Sequence, residues 1–271
     1  MIKKISGTRC VLLWLSLFLA VSSSRSQEIS PVGAVASAHP LATKAGLDIL
    51  NSGGNAFDAA VAVASTLAVV EPYSSGIGGG GFFLVYEKEK GSYVFIDARE
   101  TAPKASSPDM YLKEDGEFDR LKSLNGPLAA GIPGLPAGLV HLSEKYGKKP
   151  LAECFKEAIR LAENGFQVGP RYVRMAGFRE KSFVGEAKEI FLGDGKPSVG
   201  ETIVQKDLAS TLRNIASDNA NSFYHGQVAS RLVSGVRQHG GIWEKSDLSS
   251  YSVVERRPLY GDYKGVKIIS A

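Results

Sequence analysis

The stretch from Phe57 to Val70 limits what this chain can fold into more than any other. Its 14 residues are dominated by Ala, Val and Leu, with neither Gly nor Pro among them, so it reads as a helix. A helix that is apolar on every side has to be surrounded by other elements. It falls short of the ~20 residues that a membrane span requires, and Gly53-Gly54-Asn55 immediately before it suits the central helix of a layered domain.

The neighbouring segments supply candidate layers. From Leu41 to Asn51 apolar residues recur at helical spacing and end at Gly53-Gly54, a helix with its stop. After the central helix come Phe82 to Tyr86 and Tyr93 to Asp97, two β-rich runs joined by the polar link Glu87 to Gly91, which predicts a hairpin. Helical patterns follow over Leu135–Tyr146, Leu151–Glu163, Lys206–Ser217 and Val228–His239. Strand-like runs return over Tyr251–Tyr260 and Tyr263–Ser270, with the turn expected at Gly261-Asp262. Buried helices beside antiparallel strands argue for an α/β fold of the layered α+β kind, helices packed on an antiparallel sheet.

Composition excludes some partners. The 32 Lys+Arg against 28 Asp+Glu give a net charge of +4, with acids interleaved among the bases. Such a pattern makes no basic stripe for a phosphate backbone, so nucleic acid is not expected. The N-terminus reads as an export signal occupying residues 1–27: a basic start, the 12-residue apolar run Cys10 to Val21, then the small-residue stretch Ser22 to Ser26. The alternative is an uncleaved N-terminal anchor. Removing the signal leaves a domain over 28–271 with Cys154 as its one cysteine and with no Asn-x-Ser/Thr sequon. An exported chain of that kind fits a periplasmic or secreted location without disulfides, and Cys154 itself reads as a buried small hydrophobe.

Few residues carry obvious chemistry. Gly76-Ile-Gly78-Gly-Gly-Gly81 satisfies the dinucleotide fingerprint in letters only. That motif needs a strand before it and a helix opening within it, whereas here the helix precedes and the strand follows. Consecutive glycines instead let the backbone approach another strand or a ligand closely. Arg99, just past the second strand, suits bidentate capture of a carboxylate or a salt bridge to Asp97, Glu100 or a distant acid. His39, His141, His225 and His239 lack metal-ligand spacing, and His39-Pro40 reads as a helix entrance. No metal or other cofactor is expected.

Taken together, Ala36-Ser-Ala-His-Pro-Leu-Ala-Thr43, Gly53-Gly-Asn-Ala-Phe-Asp-Ala-Ala60, Val70 to Phe82 and Asp97-Ala-Arg-Glu-Thr-Ala-Pro103 closely resemble the N-terminal half of the γ-glutamyltransferases (γ-glutamyltranspeptidases). Gly131 to Gly138 and Tyr251 to Lys264 look like that family's large subunit as well. The resemblance implies an N-terminal-nucleophile hydrolase with an αββα sandwich, made as a precursor that cuts itself into a large and a small subunit. It implies a Thr at the new N-terminus that attacks the γ-carbonyl of glutathione or a related γ-glutamyl compound, its own α-amine acting as base. Water or the amine of an amino acid or peptide then resolves the γ-glutamyl enzyme. Arg99 falls on the family's Arg that grips the glutamyl α-carboxylate. The glycines would pack beside the site.

The nucleophilic Thr of this family is expected beyond Ala271, in the small subunit of the same precursor, so the present chain holds no catalytic residue and is expected to be inactive alone. Two other functions are compatible with these residues. One is an inactive relative that binds γ-glutamyl compounds or serves as a partner subunit. The other is a glutaryl- or cephalosporin-type acylase on the same fold.

Overall fold

A computed structural model describes residues 33–193, 195 and 197–271; the leader assigned to 1–27 lies outside them. The first helix among the described residues, α1 (Pro40–Asn51), starts on His39, whose Nδ1 accepts the backbone N–H of Leu41 at 3.2 Å, with Pro40 in the first turn. A Pro there loses no helical hydrogen bond. Helix α2 (Ala56–Val70) is the central one. From Phe57 to Val70 none of its residues is exposed, and it packs against α1 and against the two helices that follow the short α3 (Arg120–Leu124): α4 (Leu135–Tyr146) and α5 (Leu151–Asn164).

The Gly53-Gly-Asn-Ala-Phe-Asp motif is the start of that helix. Gly53 adopts φ +91°, a conformation open to Gly. Asn55 then caps α2 by accepting the N–H groups of Phe57 and Asp58, while the Asp58 carboxylate accepts the N–H of Asn55 at 2.8 Å. The two form a reciprocal capping box.

The predicted hairpin is present as β1 (Gly81–Glu87) and β2 (Ser92–Ala98), paired from Gly81↔Ala98 to Glu87↔Ser92. Strand β5 (Val254–Arg256) adds to β2 antiparallel, giving the sheet order β1-β2-β5. On the helix side Ile96 and Ala98 are fully buried. On the other side Phe82, Leu84 and Tyr86 stay about half exposed, an alternation with period two. Short strands β3 (Phe166–Gln167) and β4 (Thr202–Ile203) pair separately; between them run α6 (Pro170–Arg179) and α7 (Gly185–Leu192), and α5 packs against α8 (Lys206–Asp218).

The end of the chain departs from the expectation of one strand over Tyr251–Tyr260 and a turn at Gly261-Asp262. Pro258, which has no N–H for a ladder, separates β5 from a further hairpin, β6 (Leu259–Tyr263) with β7 (Val266–Ser270). Its turn is Lys264-Gly265, at φ +51° and +79°. Two successive positive φ values match the right-handed twist of the flanking strands, so Gly261 and Asp262 stay inside the ladder opposite Ile268 and Lys267.

Candidate functional site

The segment after α2 is built around Glu71. Its carbonyl accepts the N–H groups of Ser74 and Ser75 at 2.9 and 2.8 Å. Its carboxylate, 2% exposed, accepts the Tyr73 hydroxyl at 3.0 Å and lies 3.9 Å from Arg171 Nη1. Burial, reinforced by the bond to Glu71, pushes the Tyr73 hydroxyl up to about 12. This turn aims the chain into the glycines.

Those glycines do what their missing Cβ atoms permit. A Cβ on Gly80 would stand 2.5 Å from the carbonyl oxygen of Ala98 and 2.7 Å from Cα of Arg99, closer than real Cβ atoms come. The Gly79 carbonyl accepts the N–H groups of Gly134 and Leu135 at 2.9 and 3.0 Å, so the glycine segment itself satisfies donors at the start of α4. The order helix, glycines, strand is the one read from the sequence, opposite to a dinucleotide site.

Arg99 sits one residue beyond β2. Its N–H donates to Asp97 Oδ1 at 3.1 Å, and its carbonyl accepts the Tyr251 hydroxyl at 2.8 Å. The guanidinium lies over the Phe82 ring, 5.5 Å from the centroid, a cation–π position. Its Nε is 2.8 Å from Glu100 Oε2, an ion pair that leaves that buried oxygen without a hydrogen bond. The Arg99 side chain nevertheless remains 55% exposed and opens on a cleft of about 630 Å³. The glycine backbone from Gly76 to Gly81, Tyr73 and Glu100 line the same cleft.

Arg99 is thus paired with Glu100, one of the acids that the sequence offered it, and also lines an opening. A guanidinium there can take a carboxylate bidentately, and main chain without Cβ atoms lets a ligand lie close. The glycines, assigned from sequence to packing, both pack and line the cleft. His39 is the helix entrance expected of it, and burial lowers its pKa. Cys154 is 1% exposed, its thiol pushed up to about 12 by burial. His141 is elsewhere: with Lys145 and Tyr146 of α4 it surrounds the carboxylate of Glu255 on β5. Among the described residues no three His, Cys, Asp or Glu side chains gather as a metal site would need.

Residues 42–271 match the family model described as Gamma-glutamyltranspeptidase. The chain belongs to the gamma-glutamyltranspeptidase family. The glutathione hydrolase proenzyme of Bacillus subtilis (strain 168) is 39% identical over 244 residues, covering 89% of this chain and 42% of that protein. The crystal structure of Helicobacter pylori gamma-glutamyltranspeptidase superposes with a TM-score of 0.85 at 42% identity, covering 88% of this chain and 69% of that one. Cephalosporin acylase from Bacillus halodurans superposes at 0.75 with 33% identity, covering 85% of this chain and 44% of that one. The chain spans less than half the length of the proenzymes it matches.

With these neighbours, the layered α/β architecture is that of the N-terminal-nucleophile hydrolases. In this member of the gamma-glutamyltranspeptidase family two of the motifs that carry the resemblance meet in space: residues between Pro72 and Phe82 line the cleft together with Arg99 and Glu100. Tyr251 lies 152 residues from Arg99 in sequence, and no local pattern links it to the strand end it touches.

Proposed function

We propose that this chain supplies the donor-carboxylate side of the active site in an exported, self-processed enzyme. The enzyme transfers the γ-glutamyl group of glutathione or a related compound to water or to the amine of an amino acid or peptide. One observation carries this: the half-exposed Arg99 side chain and glycine main chain line the same cleft, a fit for a small carboxylate held bidentately. Membership of a family that contains glutathione hydrolase proenzymes supports the choice of donor.

The nucleophile is a Thr on the small subunit of the same precursor, carried by sequence beyond Ala271. Its oxygen attacks the γ-carbonyl, its α-amine takes the proton, the donor's amine leaves, and water or the acceptor amine cleaves the resulting γ-glutamyl ester. By itself the 271-residue chain is inactive. Residues 1–27 direct export and 28–271 form part of the large subunit. No helix among the described residues is long and apolar enough to cross a membrane.

Replacing Arg99 by Ala in the full-length enzyme is expected to lower kcat/KM for a γ-glutamyl donor by about 2–5 kcal/mol of transition-state binding. Unchanged kinetics would remove Arg99 from the site. Calorimetric titration of the 271-residue chain with glutathione tests the inactive-binder alternative, which requires measurable affinity where a partial site gives none. The likeness to cephalosporin acylase favours one second reading, an acylase for glutaryl side chains. Preference for a glutaryl over a γ-glutamyl donor in the same assay would select it.

A further inference from the structure

We propose that Tyr251 is a positioning residue for Arg99, holding the peptide from which the carboxylate-binding guanidinium extends. The inference rests on the assignment of Arg99 above. The Arg99 side chain, 55% exposed, meets Glu100 and the Phe82 ring at its guanidinium end, and at its root both polar groups of the Arg99 backbone are hydrogen-bonded to side chains. The N–H is held by Asp97 Oδ1 at 3.1 Å and the carbonyl by the Tyr251 hydroxyl at 2.8 Å. Asp97 is itself fixed, since its other oxygen accepts Arg256 Nε at 2.9 Å. Tyr251 and Arg256 therefore brace, from one short segment, a residue that precedes them by about 150 positions.

The hydroxyl of Tyr251 has little freedom to be anywhere else. Its ring stacks on Tyr224, with centroids 5.6 Å apart and planes at 12°. Tyr224 is anchored in turn, donating to the Pro133 carbonyl at 2.9 Å and accepting the Ala137 N–H at 3.2 Å. Gly134 lies against the hydroxyl end, where a Cβ would stand 2.1 Å from the Tyr251 oxygen. Burial, with smaller contributions from Asp97 and Glu100, pushes the hydroxyl up to about 12, so it remains a donor at neutral pH. Tyr251 is therefore not a catalytic residue; it acts through Arg99.

The test is Tyr251→Phe in the full-length enzyme, which keeps the ring stack and removes the hydrogen bond. Two donors are compared: a γ-glutamyl anilide and the corresponding 4-aminobutyryl anilide, which lacks the α-carboxylate. The expected result is a KM for the first donor raised about 3–10-fold, the worth of one hydrogen bond, with kcat within about twofold and the second donor unaffected. In an Arg99→Ala background Tyr251→Phe is expected to add nothing. Equal effects on both donors, or full additivity with Arg99→Ala, would make Tyr251 a general structural residue and overturn the inference. An effective Arg99→Ala beside an indifferent Tyr251→Phe would overturn it alone, whereas an indifferent Arg99→Ala would overturn the assignment of the site and the inference with it.

Discussion

The buried carboxylate of Asp58 accepts the backbone N–H of Lys148 at 3.0 Å, across 90 residues of sequence. It also takes the N–H groups of Lys149 and Asn55, so one side chain caps α2 and ties it to the segment after α4. Asp58→Ala would remove the acceptor from all three part-buried N–H groups and the helix cap with it. The expected cost is about 3 kcal/mol or more, seen as a lower urea midpoint. Asp58→Asn, which keeps an acceptor, should lose less.

Gly78 and Gly80 belong to one motif but have different surroundings. An added Cβ meets nothing within 4 Å at Gly78 and meets main chain at 2.5 Å at Gly80. Gly80→Ala is therefore expected to destabilise by about 2 kcal/mol, and Gly78→Ala by no more than ~0.5 kcal/mol. Thermal unfolding of both variants checks the difference; equal losses would count against the packing described for this loop.

Glu255 joins β5 to α4. Burial alone would raise its carboxyl, but hydrogen bonds from Lys145, Tyr146 and His141 outweigh burial and bring it down to about 2. A carboxyl held below its ordinary value near 4.5 stabilises the fold above that value and ceases to do so as pH falls toward 2. Between pH 5 and 2 the wild type is expected to lose more stability than Glu255→Gln. Parallel curves in acid denaturation would refute this.

Cys154 is buried in α5, and its thiol is pushed up to about 12. Thiolate is the reactive form, so the folded protein is expected to resist iodoacetamide at pH 8. In denaturant Cys154 should alkylate readily, and mass spectrometry of the two samples gives the comparison.

The sequence by itself determined the elements whose hydrophobic period is strong: the all-apolar helix α2, the β1–β2 hairpin and the helices Leu135–Tyr146, Leu151–Asn164, Lys206–Asp218 and Gln227–Gln238, but not the helices Pro170–Arg179 and Gly185–Leu192. It also held the motifs of the gamma-glutamyltranspeptidase family, including Arg99 at a strand end. Period alone failed over 251–270, where Gly261-Asp262 looks like a turn but the two positive φ values fall at Lys264 and Gly265. Which strand follows which could not settle that register, because turn and ladder compete for the same polar residues.

Only the tertiary structure decided what stands opposite each face. Periodicity says that a residue is covered and is silent about what covers it, so the Tyr251–Arg99, Asp58–Lys148 and Glu255–Tyr146 bonds, each spanning 90 residues or more, have no local signature. The cleft is a product of the same kind. It exists because Gly80 lets two backbones close to a distance that any side chain would forbid, and that approach brings Arg99 and the glycine wall together.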